Sequence, residues 1–448
     1  MAHAIDTEFY GRYQPCQVLS VEQALINYVC QSQFHLLCSV VLVNPPCSIL
    51  QITDNMYKSA LIFGASGVSG WAFVNEMLND YPKKGVWGKV HALTNRPLKQ
   101  GDSLWPNDPR LNIVSGIDLL QGSQEELEQT LKDRIEDVNK VTHVFYLAYK
   151  AGTDVQREVQ EAVAMWQRST IAMNHLSPSL EFVVLQTGAK AYGVHLLENH
   201  PTNYIHVPLH ESLPRLRPPY DTTVFYYQQI DWVKEYAKDK KWIWIETRPD
   251  QIIGFIPNGN FYSLATSIGV YLSLYAAVEG KGADCPFPGT WKTWEAKNHD
   301  VSADMIARQT LYLVETLPRS AKGEAYNVAD GKEPVIWKNK WPIICRYFGL
   351  KGTPPPENAT GREHEVRAYI KKHFDTWQKL EKQYGLREGI ADSPVTFPGF
   401  ELWVLSLFDF DRQYDMTKMY ATGFTEQLST LESWGAAFGK MRKAKHIP

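Results

Sequence analysis

Two side chains far apart in the sequence have surroundings suited to proton chemistry. They are Lys190, in Leu185-Gln186-Thr187-Gly188-Ala189-Lys190, and Tyr226, in Val224-Phe225-Tyr226-Tyr227-Gln228. The first run leaves a short apolar segment that reads as a strand, and the second opens a helix. A phenol hydroxyl there can donate to a substrate oxygen that gains charge, and an ammonium can hold a ribose and polarise the phenol. The same residue types also recur four apart, a spacing that places both on one helical face, at Tyr146/Lys150, Tyr236/Lys240 and Tyr347/Lys351. None of these suits the role. The first leaves a strand, the second ends the charged run Glu235–Lys241, and the third lies deep in the C-terminal part.

A second constellation is Gly64-Ala65-Ser66-Gly67-Val68-Ser69-Gly70. It follows an apolar run and opens a helix. One glycine permits the tight turn, one lets the backbone approach a pyrophosphate, and one allows close packing of helix on strand. The positive end of the helix then faces the phosphates. Gly64, Ser66, Gly67, Val68 and Gly70 are therefore candidate cofactor contacts. The next strand ends in Thr94-Asn95-Arg96-Pro97, with no acid to hold the 2′-hydroxyl of NAD. Arg96, helped by Asn95, suits the 2′-phosphate of NADP. Asp118, after the third strand, is placed for the adenine edge. Thr187 and Ile253 complete the expected cofactor contacts.

The elements that position these residues alternate. Strands are expected at Ser59–Phe63, Val90–Leu93, Leu111–Val114, Val141–Leu147, Phe182–Leu185 and Trp242–Glu246, with helices near 68–79 and 154–176 and a capping box at Ser123–Glu126. Such alternation predicts an α/β fold, a Rossmann-like doubly wound parallel sheet whose strand ends gather the site. Beyond residue 257 the pattern turns helical, near 260–278, 303–316, 362–384 and 430–441, with a short strand at Ala325–Val328. The expected division is an N-terminal extension over 1–55, a dinucleotide-binding domain over 56–257 with 198–224 leaning toward the substrate, and a smaller, mainly helical substrate lobe over 258–448. Residues 1–55, with four of the six cysteines, read either as an extension outside the core or as a strand or cap packed on it.

Composition narrows the function classes. Of 448 residues, 44% are hydrophobic and 21% charged, the balance of a globular protein. A net charge of -3 gives no electrostatic case for nucleic acid or an anionic membrane. No Cys or His spacing suits a metal. The apolar stretch 34–43 is shorter than the roughly 20 residues that span a bilayer. The sparse cysteines of the main body fit the cytoplasm.

With these pieces in order, the sequence resembles the progesterone 5β-reductase and iridoid synthase-like enzymes, an atypical branch of the extended short-chain dehydrogenases/reductases. The resemblance runs from about Tyr57 to the C-terminus. It rests on Ala60–Gly70, Asn95-Arg96-Pro97, Val141–Tyr146, Leu185–Lys190, Phe225-Tyr226-Tyr227, Arg248–Pro257 and Glu324–Val328. It implies that NADPH reduces an activated carbon–carbon double bond in an enone or enal, with Lys190 and the first tyrosine of the pair, Tyr226, as catalytic residues. Three departures lie near the pocket. Ala191-Tyr192 replaces the usual His-Tyr, Gln229-Ile230-Asp231 replaces an acidic pair, and Tyr149 stands in for the usual tryptophan.

The leading expectation is thus an NADPH-dependent reductase acting on an enone, enal or carbonyl of a medium-sized apolar metabolite. Its partner would be that small molecule, with a homodimer left open. Two other readings keep the fold. Tyr226 and Lys190 could serve an isomerisation, cyclisation or epoxide rearrangement without redox change, or the protein could sense NADPH without catalysis.

Overall fold

The computed structural model describes residues 57–152, 154–197, 204–259, 262, 264–360, 365–393 and 399–448. The expected extension over 1–55 lies outside the described residues, as does 198–203. Seven parallel strands form one sheet. In chain order β1 is Lys58–Phe63, β2 Trp87–Thr94, β3 Leu111–Ser115, β4 His143–Tyr146, β5 Phe182–Gln186 and β6 Ile243–Arg248. A short β7 (Asp284–Pro286) lies apart, and β8 (Ala325–Asn327) returns to the main sheet. The sheet order is β3-β2-β1-β4-β5-β6-β8. The strand order reverses between β1 and β4, and a crevice opens there at the C-terminal strand ends.

Strands in such a sheet are covered on both faces and read as unbroken apolar runs. Ala60, Leu61 and Ile62 of β1 are fully buried, as are Val184 and Leu185 of β5. One face is covered by α1 (Val68–Leu78). The other carries α2 (Gln124–Arg134), α3 (Val155–Leu176) and α4 (Phe225–Tyr236). The capping box at Ser123 forms as expected, with reciprocal bonds to Glu126. Asp154 caps α3 by accepting from the Gln156 and Arg157 amides. Caps of this kind contribute about 1 kcal/mol each.

The C-terminal part is more entwined with the sheet than its helical pattern suggests. After α5 (Leu264–Glu279), α6 (Ala303–Thr316) packs directly on α1, and β8 pairs with β6. A helix absent from the sequence reading, α7 (Trp337–Tyr347), contains Pro342. Proline normally breaks a helix by removing a bond and crowding the preceding turn. Here Trp337 and Trp341 are fully buried, and the Trp341 indole donates to the Cys285 carbonyl at 2.9 Å. This packing holds the helix. Next to it, β7 pairs with β9 (Lys351–Thr353) in a two-stranded parallel sheet.

Two expectations are corrected. The single helix near 362–384 is two, α8 (Glu365–Lys372) and α9 (Phe374–Tyr384), broken at His373. The break lets both helices pack on α5, with Tyr369 stacked on Tyr275 at 5.1 Å and Trp377 fully buried. The fourth strand is also shorter than expected, because Val141 ends the tight turn Val138–Lys140 rather than joining the sheet.

Candidate functional site

A cavity of about 810 Å³ opens over the C-terminal ends of β1, β2, β4, β5 and β6. Its floor is the glycine turn. Gly64 has φ +83°, and a Cβ there would fall 2.8 Å from the Ala148 backbone. At Gly70 a Cβ would meet the Gly64 carbonyl oxygen at 2.2 Å. Both positions therefore require glycine, for the turn and for the close approach of α1 to β1. Gly67 precedes α1 and makes no side-chain cap, so the amides of the first turn remain free for phosphate oxygens.

The structure brings nearly all the expected cofactor residues to this cavity. Gly64, Ser66, Gly67, Val68, Asn95, Arg96, Asp118 and Thr187 line it. Arg96 is exposed at the rim, where its guanidinium donates to the carbonyls of Asn258 at 3.4 Å and Gly259 at 2.8 Å. One Asp118 oxygen accepts the Leu120 amide at 2.9 Å, and the Thr187 hydroxyl is committed to Glu246. Gly70 acts from beneath, through packing. Ile253 is not brought to the cavity. It is 2% exposed within the core and bonded through its backbone to Val301 and Ala303, and its neighbour Ile252 lines the cavity instead.

The residues present fit a dinucleotide. Beyond the free amides, Tyr146 Oη, Gln186 Oε1 and Gln251 Oε1 are buried without a hydrogen-bond partner and belong to residues that line the cavity. Buried polar atoms left unpaired cost about 1–3 kcal/mol each, so such a group calls for a ligand to complete it.

Lys190 and Tyr226 both line the cavity, although separate elements carry them. Lys190 sits on the turn Ala189–Tyr192 after β5, and Tyr226 on the first turn of α4. Gly188 lets the two elements meet, since a Cβ there would come within 3.2 Å of Tyr226 Oη. The following Tyr227 fastens the junction. Its hydroxyl donates to the Ala191 carbonyl at 2.6 Å and accepts the Leu216 amide at 3.1 Å. Behind the turn, Arg248 bonds both oxygens of Glu246 at 2.8 Å and lies over the Tyr192 ring. Tyr192, at one of the three departures, donates to Asn327 at 2.7 Å and so ties the turn to β8.

Burial pushes the Tyr226 phenol well above its ordinary range, and the neighbouring Tyr262, Glu158 and Glu246 push it the same way. Tyr226 is therefore a neutral phenol. The Lys190 ammonium lies 3.9 Å from a Glu158 carboxylate oxygen and 5.8 Å from the centre of the Tyr149 ring. Tyr149 donates to the same carboxylate. His195, after the turn, is held neutral, its imidazole pushed down to about 4 by burial and by Lys190.

Part of the remaining wall is aromatic. Tyr149 stacks on Phe225 at 5.5 Å and meets Tyr262 at 5.7 Å, and Tyr262 meets Phe400 edge-on at 5.1 Å. Trp403 and Phe408 follow, at the two ends of a widened helical turn over Trp403–Leu407. Sequence reasoning missed Glu158, His195, Phe400, Trp403 and Phe408. No local pattern distinguishes them from a surface acid or from core aromatics. Trp291 and Trp294, although aromatic, do not line the cavity. Trp294 is buried against Phe287, and Trp291 is exposed, bonding the Pro356 carbonyl.

Comparisons with known proteins agree with this architecture. The family described as the PRISE-like Rossmann-fold domain matches residues 60–448. The short chain dehydrogenase ausT of Aspergillus calidoustus is 36% identical over 89% of this chain and 96% of its own. The 3-oxo-Delta(4,5)-steroid 5-beta-reductase of Arabidopsis thaliana is 29% identical over 73% of this chain and 78% of its own. Among solved structures, RMD from Pseudomonas aeruginosa complexed with NADPH shares the fold, with a TM-score of 0.52 and 13% identity over 87% of this chain and 98% of that one. Among the described residues no helix is long and apolar enough to cross a membrane. With the cavity at the switch point of a doubly wound sheet and the family match over residues 60–448, the chain belongs to the PRISE-like Rossmann-fold family and is an oxidoreductase of the short-chain dehydrogenase/reductase type.

Proposed function

We propose that the protein is an NADPH-dependent reductase of a carbon–carbon double bond conjugated to a carbonyl, in a medium-sized apolar compound of specialised metabolism. One observation carries this reading. Tyr226 is a neutral phenol at the cavity wall, and every charged neighbour with a resolved influence keeps it so. A phenol in that state donates a hydrogen bond. It suits a reaction in which charge develops on a substrate oxygen, and not one that begins by removing a proton from an alcohol.

The amides at the start of α1 would hold the pyrophosphate, Arg96 the 2′-phosphate, Asp118 the adenine edge and Lys190 the nicotinamide ribose. The dinucleotide, when bound, supplies a hydride to the electron-poor β-carbon. Tyr226 donates to the carbonyl oxygen as the enolate forms there, and the α-carbon then takes a proton from solvent as the product leaves, so that hydride and proton together saturate the double bond. Tyr149, Phe225, Tyr262, Phe400, Trp403 and Phe408 enclose the apolar body and exclude water, which strengthens the Tyr226 bond. The 3-oxo-Delta(4,5)-steroid named for the Arabidopsis relative is an enone, which supports the same substrate class. A small apolar carbonyl compound in the cytoplasm is thus the proposed partner.

The test is NADPH consumption by purified protein across a panel of enals, enones and simple ketones. Turnover on enals or enones, with NADH a poor substitute, is expected. Tight NADPH binding with no reduction of any member would overturn the reading in favour of a rearrangement on the same residues.

A further inference from the structure

The residue that stands against Lys190 is a carboxylate, Glu158, on the first turn of α3. Its surroundings are specific. One oxygen lies 3.9 Å from the Lys190 ammonium and accepts the Tyr149 hydroxyl. The Tyr149 ring in turn lies beneath that ammonium and stacks on Phe225, which packs edge-on against Tyr226 at 4.6 Å. Tyr262 also bonds Tyr149. Among the described residues Lys190 makes no hydrogen bond to Tyr226. Tyr149 occupies the position of the tryptophan expected from the sequence resemblance. An indole N–H could also donate to Glu158, but an indole has no oxygen with which to share a bond with Tyr262.

We infer that Glu158 is a positioning residue, which holds the Lys190 ammonium on the Tyr149 side of the cavity and away from the Tyr226 hydroxyl. This rests on the reading of Tyr226 as an oxyanion donor and extends it. A lysine beside the tyrosine would lower the phenol and equip the site to remove protons. With the ammonium paired to Glu158, lysine still reaches a ribose while the phenol keeps its proton. The charged and titratable groups around Tyr226 agree. Glu158 and Glu246 face it from α3 and β6, and Tyr262 and Tyr414 from the C-terminal part. Lys190, Tyr149 and the neutral His195 complete the surroundings.

The test compares wild type with Glu158→Gln, Glu158→Asp and Tyr149→Phe. The first readout is the pH profile of NADPH oxidation with cinnamaldehyde, from pH 6 to 10.5. Removing a nearby anion and releasing a cation toward the phenol each move it down by about 1–3 units. Glu158→Gln is therefore expected to show an alkaline fall in rate that wild type lacks, and Glu158→Asp to restore the flat profile. The second readout needs no turnover. Absorbance of 4-nitrophenol bound to the enzyme with NADP+ reports its ionisation, which should occur about one pH unit lower in Glu158→Gln. A Glu158→Gln protein that matches wild type in both readouts, with the rate merely scaled, overturns the inference. If Glu158→Gln does not fold, Tyr149→Phe decides. It keeps the ion pair and should stay flat, and an alkaline fall there assigns the positioning to the phenol instead. Absence of wild-type turnover with cinnamaldehyde and the wider panel, beside a clear nitrophenol shift, would sink the reductase reading and leave Glu158 in place.

Discussion

Substituting phenylalanine for Tyr226 isolates the oxyanion bond from the rest of the site. Among the described residues the Tyr226 hydroxyl has no hydrogen-bond partner, so its loss orphans no other group. The ring contact with Phe225 at 4.6 Å survives, and Gly188 gains space. Stability should therefore change by less than about 0.5 kcal/mol, as for a substitution outside any network. The glycine turn and Lys190 are untouched, so NADPH affinity should hold within about twofold, or ~0.4 kcal/mol. The chemical step should suffer much more. Loss of one preorganised donor to a developing oxyanion costs about 2.7–4 kcal/mol, or roughly 100- to 1,000-fold in kcat. The assay is single-turnover NADPH oxidation with an enal, beside a fluorescence titration of NADPH and a thermal melt. A rate within about threefold of wild type, equivalent to ~0.7 kcal/mol, would falsify the role assigned to the hydroxyl. A parallel loss of NADPH affinity would place Tyr226 in cofactor binding instead.

Three further outcomes are expected. Arg96→Ser should lower the preference for NADPH over NADH by about 10- to 100-fold, since a bond to a charged group contributes about 1.5–3 kcal/mol; equal loss with both cofactors would show that Arg96 only anchors the Asn258–Gly259 backbone. Gly70→Ala forces a Cβ to 2.2 Å from one backbone atom and 2.7 Å from another, neither of which can swing aside. It should cost about 1–3 kcal/mol in chemical denaturation and abolish NADPH binding, whereas Gly101→Ala, with open space around it, should do neither. Acid should destabilise the fold. His91, His195 and His446 are each pushed down to about 4 by burial, so the unfolded chain takes up protons that the folded one refuses as pH falls from about 6.5 toward 4. Asp330, pushed up to about 7, works in the opposite direction across the whole of that window, by holding a proton in the folded state. His143 and His299, also lowered by burial, add to the loss, and Glu76 and Glu211, raised by burial, oppose it; five imidazoles against three carboxyls should leave a net loss, and stability constant or rising toward pH 4.5 would refute the assignment.

The two halves of the cavity were unequally legible in the sequence, and the reason is physical. The cofactor half is built from backbone. The turn must be glycine at Gly64 and Gly70, where a Cβ would strike backbone, and the strand before it must be apolar, so a local stretch carries the whole signal. The runs around Lys190 and Tyr226 singled them out, the structure places both at the cavity, and Gly188 and Tyr227 show why those runs are needed: one clears the contact and the other fastens it. The limit of local reading appears at Ile253. A slip of one position moves a side chain from the cavity to the core, and only the pairing with Val301 and Ala303 fixes which of Ile252 and Ile253 faces in. In the C-terminal part, Pro342 hid a helix that tryptophan packing sustains. The substrate half is built from side chains brought together over long separations. Phe400, Trp403 and Phe408 have the composition of any core, and Glu158 that of any acid in a first helical turn, where the helix dipole favours it. Only the fold sets Glu158 against Lys190. The same asymmetry accounts for how such a fold can change substrate. Alteration of Tyr149, Tyr262 or the 400–408 turn reshapes the apolar wall without touching a residue that holds the dinucleotide. The departure at Tyr149, with the carboxylate it engages, lies on that wall beside Lys190, so that on the proposed mechanism a change of substrate and a change of proton chemistry are tied to one side chain.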